Sequence, residues 1–86
     1  MPDSFYRLTL RLHRDVVGTL YKMPREATED AWKVLRGLEE NPTPEASSLV
    51  EGLQDTYQIR TDGYRIVYEI LEEENVVKIL RLHLVE

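Results

Sequence analysis

Four side chains hold most of the chemistry this sequence offers: Arg60, Arg65, Arg81 and His83. A guanidinium stays protonated at physiological pH and can bond two oxygens of one phosphate, so arginines gathered on one surface make a grip for phosphate-like anions. Histidine is the residue type that exchanges a proton near neutrality, which suits it to acid or base work beside such a grip. Spacing decides whether they meet. In residues 57–70, YQIRTDGYRIVYEI, alternation puts Tyr57, Ile59 and Thr61 on one side of a strand and Gln58 and Arg60 on the other. The next strand separates Tyr64, Ile66, Tyr68 and Ile70 from Arg65, Val67 and Glu69. Asp62-Gly63 between them predicts a tight turn in which glycine takes a positive φ. Arg60 and Arg65 then share an open face. In residues 76–84, VVKILRLHL, one side carries Val76, Lys78, Leu80, Leu82 and Leu84, the expected core side, and the other Val77, Ile79, Arg81 and His83. A plainer expectation competes: Arg65 pairs with Glu69 or an acidic loop on its own strand face, and Arg60, Arg81 and His83 are solvated surface residues.

These strands need elements to hold them. Residues 5–12, FYRLTLRL, set Tyr6, Leu8, Leu10 and Leu12 against Arg7, Thr9 and Arg11, the pattern of a half-buried first strand. From 13 to 41 the period turns helical, with Val16, Leu20 and Met23 in one stripe and Ala27, Ala31, Val34 or Leu35, and Leu38 in another. Pro24 divides two helices, because it cannot continue the first and suits the opening turn of the second. Gly18 weakens the first helix by about 1 kcal/mol relative to alanine, a cost expected to reflect close packing against a neighbour. The NPTP run at 41–44 ends the second helix, and 45–52 is expected to be a loop with at most one short turn. Trp32 is expected to cover the edge of the core. Tyr57, Tyr64 and Tyr68 fall on the core side, where each phenol must find a partner. The carboxylates at 72–74 read as a solvated turn, since adjacent glutamates without histidine or aspartate spacing do not form a cation cage. The order is β-α-α-β-β-β: an α+β fold with a helical hairpin on one face of a mainly antiparallel four-stranded sheet. The other face stays open.

Composition narrows the field. Eighty-six residues suit a single domain over 1–86 with a modest core. The absence of cysteine removes disulfides and thiolate metal sites. No secretion pattern and no apolar run near the roughly 20 residues of a membrane span is present; a cytoplasmic protein without membrane partners is expected. His13 and His83 lie far apart in the chain. Net charge is −5, with seven basic and five acidic side chains in residues 1–36 against four and eleven in residues 37–86. Coating nucleic acid non-specifically takes many neutralised phosphates, so only a local basic patch is compatible with this balance. The acidic surplus suits a basic partner.

Taken together, YRLTL, the hairpin MPREATEDAWKVLRGLEENP, LVEGL, YQIRTDGYRIVYEI and VVKILRLH resemble the RelE/ParE superfamily of toxins from type II toxin–antitoxin modules, closer to RelE, over nearly the whole chain. The resemblance implies a compact toxin restrained by a cognate antitoxin that wraps around it, with operator DNA reached through that antitoxin. RelE-like members cut mRNA on the ribosome and so inhibit translation, with neither metal nor cofactor. They activate a ribose 2′-OH to attack the adjacent phosphate. ParE-like members instead poison DNA gyrase, and a catalytically weakened homologue would only bind its antitoxin. The GYR arginine of the family carries over to Arg65 and the basic position of the preceding strand to Arg60, with Gln58 at that position's usual companion. Arg81 then supports phosphate binding, and His83 matches the histidine near the end of the last strand. Leu84 stands where an arginine usually follows that histidine, and the sequence stops at Glu86, before the usual tyrosine. Such chemistry needs an acceptor for the 2′-OH proton, donors for the phosphorane-like state and help for the leaving oxygen. Arg65 is the leading candidate for the donor and His83 for the proton carrier.

Overall fold

The computed structural model describes residues 7–85; Phe5 and Tyr6, expected in the first strand, lie outside the described residues. The elements are β1 (Thr9–Leu12), α1 (Arg14–Lys22), α2 (Arg25–Glu40), β2 (Ser47–Leu49), β3 (Thr56–Arg60), β4 (Tyr64–Leu71), a 3-10 turn (Glu72–Glu74) and β5 (Val76–Leu84). The sheet has five strands in the order β1-β5-β4-β3-β2, one more than expected. β1 runs parallel to β5, and the other three pairings are antiparallel. The extra strand is β2, where a loop was expected. Its three residues carry no alternating apolar signal of their own and become a strand only by pairing with Ile59, Gln58 and Tyr57. Gly52, at φ 85°, turns the chain back towards β3 in a conformation that costs glycine nothing.

Both helices bury the stripes that their spacing marks. Val16, Leu20 and Met23 from the first, and Ala31, Leu35 and Leu38 from the second, join Ile59, Tyr64, Ile66, Tyr68, Ile70, Val77, Ile79 and Leu82 in one core. Burying each of the larger aliphatic chains contributes about 1.5–3 kcal/mol. Trp32 packs on the margin of this cluster with Arg36 over its ring at 5.8 Å. Thr28 ties the helices together, its hydroxyl donating to the Leu20 carbonyl at 3.1 Å and to the Pro24 carbonyl at 3.2 Å. The expected close packing at Gly18 is not found: a Cβ there would meet nothing within 4 Å, so its helix penalty is uncompensated.

Two expectations about the sheet need correction. The β3–β4 hairpin forms, but Gly63 does not take a positive φ; among the described residues Gly52 is the glycine that does. The turn is closed instead by Thr61, whose hydroxyl accepts from the Gly63 and Tyr64 amides at 3.2 and 3.1 Å and donates to the Tyr64 carbonyl at 3.1 Å. In β5 neither alternating set forms the core side. Tyr68 pairs with Ile79 and Val67 with Arg81, which leaves Leu80 as the extra residue of a β-bulge. A bulge shifts the two-residue period by one. Val77 and Ile79 before it and Leu82 after it therefore all face the helices, while Lys78 moves to the open side. Among the described residues no helix is long and apolar enough to cross a membrane.

Candidate functional site

The sheet face that the helices leave bare carries the sequence-predicted residues in rows. Directly opposed residues of neighbouring strands share a face, and Arg60 opposes Arg65, which in turn opposes His83. These three form the first row. In the second, Arg81 opposes Val67 and Val67 opposes Gln58. The third places Arg11 beside Lys78, and Lys78 beside Glu69. With strands about 4.8 Å apart, the first row spans about 10 Å of backbone. All four residues singled out by sequence, Arg60, Arg65, Arg81 and His83, lie on this surface. Lys78 belongs to it too and was missed, since simple alternation assigned it to the core side. Its signal was the bulge, which shows only when β5 is aligned with β4.

Each part of the frame does definable work. The bulge at Leu80 is what points Arg81 and His83 to the open side, because unbroken alternation from Ile79 would have turned both towards the helices. The Thr61 turn brings Arg60 and Arg65 face to face. Beneath them, the Tyr64 hydroxyl donates to Asp30 of α2 at 2.6 Å, pinning the start of β4 to the second helix. Burial of the Tyr64 phenol, with the Asp30 carboxylate as its acceptor, pushes its pKa well above the usual phenol value. Tyr68 is likewise raised by burial, and its hydroxyl donates to the Pro42 carbonyl at 2.7 Å while its ring stacks on Tyr57 at 5.8 Å. These tyrosines are structural and do not reach the open face.

Ion pairing divides the cations of the open face, where Arg11 is paired, from one another. Arg7, Arg11 and Arg25 form ion pairs with Glu39 and Glu40, Glu74, and Glu29 respectively. Among the described residues Arg60, Arg65, Lys78 and Arg81 have no carboxylate within ion-pairing distance and no side-chain hydrogen bond. The expected pairing of Arg65 with Glu69 does not occur. Like charges placed directly opposite one another across a sheet are destabilising, so the Arg60–Arg65–His83 row is an arrangement that a bound polyanion would relieve. A surface cleft of about 410 Å³ at the far end of β4 is lined in part by Glu72, Glu73, Glu74 and Asp55. Its charge is wrong for a phosphate.

Residues 10–83 match the family described as the ParE toxin of type II toxin–antitoxin system, parDE. No curated protein matches the sequence. Solved structures share the fold. The isolated E. coli RelE toxin is 27% identical over 92% of this chain and 85% of its own, with a TM-score of 0.80. The archaeal RelE–RelB complex from Pyrococcus horikoshii OT3 gives 26% identity over 91% and 94%, with a TM-score of 0.81. The intact E. coli RelBE toxin–antitoxin complex gives 28% over 92% and 98%, with a TM-score of 0.78.

Proposed function

The chain belongs to the ParE toxin family of type II toxin–antitoxin systems, with a fold that matches RelE toxins, and from that premise we propose that it is a RelE-type endoribonuclease of translated messages. The observation that carries this choice is the row of Arg60, Arg65 and His83 with Arg81 beside it, whose guanidinium groups have no carboxylate within ion-pairing distance among the described residues. Cations at neighbouring ladder positions suit the closely spaced charges of a phosphate backbone.

In this scheme Arg65, central in the row, binds the non-bridging oxygens of the scissile phosphate in bidentate fashion and stabilises the charge that grows as the 2′-oxygen attacks. Arg60 and Arg81 hold the flanking backbone. His83, opposite Arg65, takes the 2′-OH proton. The domain acts as one RelE/ParE-like unit over residues 1–86, in the cytoplasm where ribosomes present messages. A cognate antitoxin restrains it, as RelB accompanies RelE in the E. coli and Pyrococcus complexes, and that antitoxin links the toxin to operator DNA.

The test is controlled expression in bacteria of the native chain and Arg65→Ala, followed by primer extension on cellular messages. Cuts within translated codons that vanish in the variant are the expected result. Growth arrest with intact messages and an induced DNA-damage response would overturn the proposal in favour of gyrase inhibition. No arrest at all would leave antitoxin binding as the remaining role.

A further inference from the structure

The parallel pairing of β1 with β5 ends at Leu12 and Ile79, so among the described residues the last five of β5 have no strand beside them on that edge. The chain leaves β1 through His13, whose amide donates to the Ile79 carbonyl at 3.0 Å, and enters α1 at once. Between the start of α1 and the bare edge of β5 lies a cleft of about 300 Å³, with His13, Asp15 and Thr19 on one wall and Leu80, Arg81 and His83 on the other. Both histidines of the sequence, far apart along the chain, therefore line one cleft together with Arg81.

His13 meets two polar groups of Asp15 at one ring nitrogen. Its Nδ1 accepts the Asp15 amide hydrogen at 3.0 Å, which caps α1 and leaves the neutral ring's proton on Nε2. The Asp15 carboxylate lies 3.7 Å from the same Nδ1, within reach of a hydrogen carried there by the imidazolium. Nε2 carries a hydrogen in either state. Arg81, His83 and Asp15 are the other charged or titratable groups lining the cleft, and Asp15 is the acidic one among them.

We propose that His13 is a second catalytic residue, the proton donor to the leaving oxygen, paired with His83 as acceptor; the inference rests on the ribonuclease reading and deepens it. The 2′-O–H bond breaks as its oxygen bonds to phosphorus, and the proton passes to His83. The bond from phosphorus to the 5′-oxygen then breaks, its electron pair stays on that oxygen, and the imidazolium of His13 supplies the proton from Nε2. The products are a 2′,3′-cyclic phosphate and a 5′-hydroxyl, with no net proton change. The leaving nucleotide accordingly lies on the α1 side of Arg81.

His13→Asn separates catalysis from structure, because the asparagine oxygen still accepts the Asp15 amide and keeps the cap. On ribosome-bound message, this variant should melt like the native protein, cut about 100-fold more slowly or worse, and lose one limb of the pH–rate profile. A message with sulfur at the scissile 5′-bridging position, which departs without a proton, should restore cutting by His13→Asn but not by His83→Asn. A folded His13→Asn variant with native rate and profile, or a defect that sulfur does not rescue, would overturn the proton-donor role while native cutting and its dependence on Arg65 stand. If the native chain cuts no message, the ribonuclease reading falls and this role with it.

Discussion

Replacing Arg65 with glutamine should separate stability from activity in opposite directions. Arg65 is half-buried at the centre of the open face, directly opposed by Arg60 on one side and His83 on the other, with no acidic partner among the described residues. Glutamine keeps much of the stem and the strand pairing but removes the charge. Relief of cross-strand repulsion is worth about 0.2–1 kcal/mol, and each kcal/mol corresponds to about 4–8 °C in a domain of this size. The variant should therefore melt at the native temperature or up to about 8 °C higher. Loss of the central phosphate donor should lower the cleavage rate about 100- to 1000-fold. Calorimetric melting and primer extension on ribosome-bound messages measure the two effects. Arg25→Gln is the control, since it removes the same charge from an exposed i,i+4 pair with Glu29 on α2 and should leave both readouts within experimental scatter. A variant that melts several degrees lower, with activity falling only as the folded fraction falls, would show Arg65 to be structural. A folded variant that cuts at the native rate would remove it from the site.

Other consequences are quicker to check. Gly18→Ala should stabilise the protein by about 0.5–1 kcal/mol, read by urea unfolding, because the added methyl meets open space. Leu35→Ala empties a fully buried position and should cost about 2–5 kcal/mol in the same assay. Tyr64→Phe removes the hydrogen bond to Asp30 and should cost about 1–2 kcal/mol, towards the low end for a charged acceptor because that carboxylate is solvated. Alkaline stability carries a sign. The folded-state phenol of Tyr64 is raised above the unfolded value near 10, so the folded chain holds its proton where the unfolded chain has lost it. That contribution is complete below about pH 10 and falls away as pH rises through the higher folded value. Tyr64→Phe should flatten this decline in melts run from pH 9 upward, and an unchanged slope would count against the raised phenol.

How much was legible follows from the range over which each feature is decided. The helical hairpin, its two buried stripes and the Pro24 division are local, and the structure keeps them. Arg60 and Arg65 could be placed from sequence because each lies a few residues from one short turn, and alternation over so short a run rarely slips. β2 could not, since three residues without an apolar pattern become a strand only when β3 offers its edge. Lys78 was misplaced because the bulge that reverses the faces of β5 is defined by the register against β4, which no window on β5 alone contains.

The same division runs through the candidate site. Residue types and two-residue periodicity determine by themselves that this acidic chain can carry arginines on one side of a hairpin. Only tertiary pairing decided that Arg81, His83 and Lys78 join them, and that His13 comes to the same cleft as His83. The physical reason is that a strand's period is written in its own residues, whereas its register, its bulges and the neighbour at its edge are properties of two segments at once.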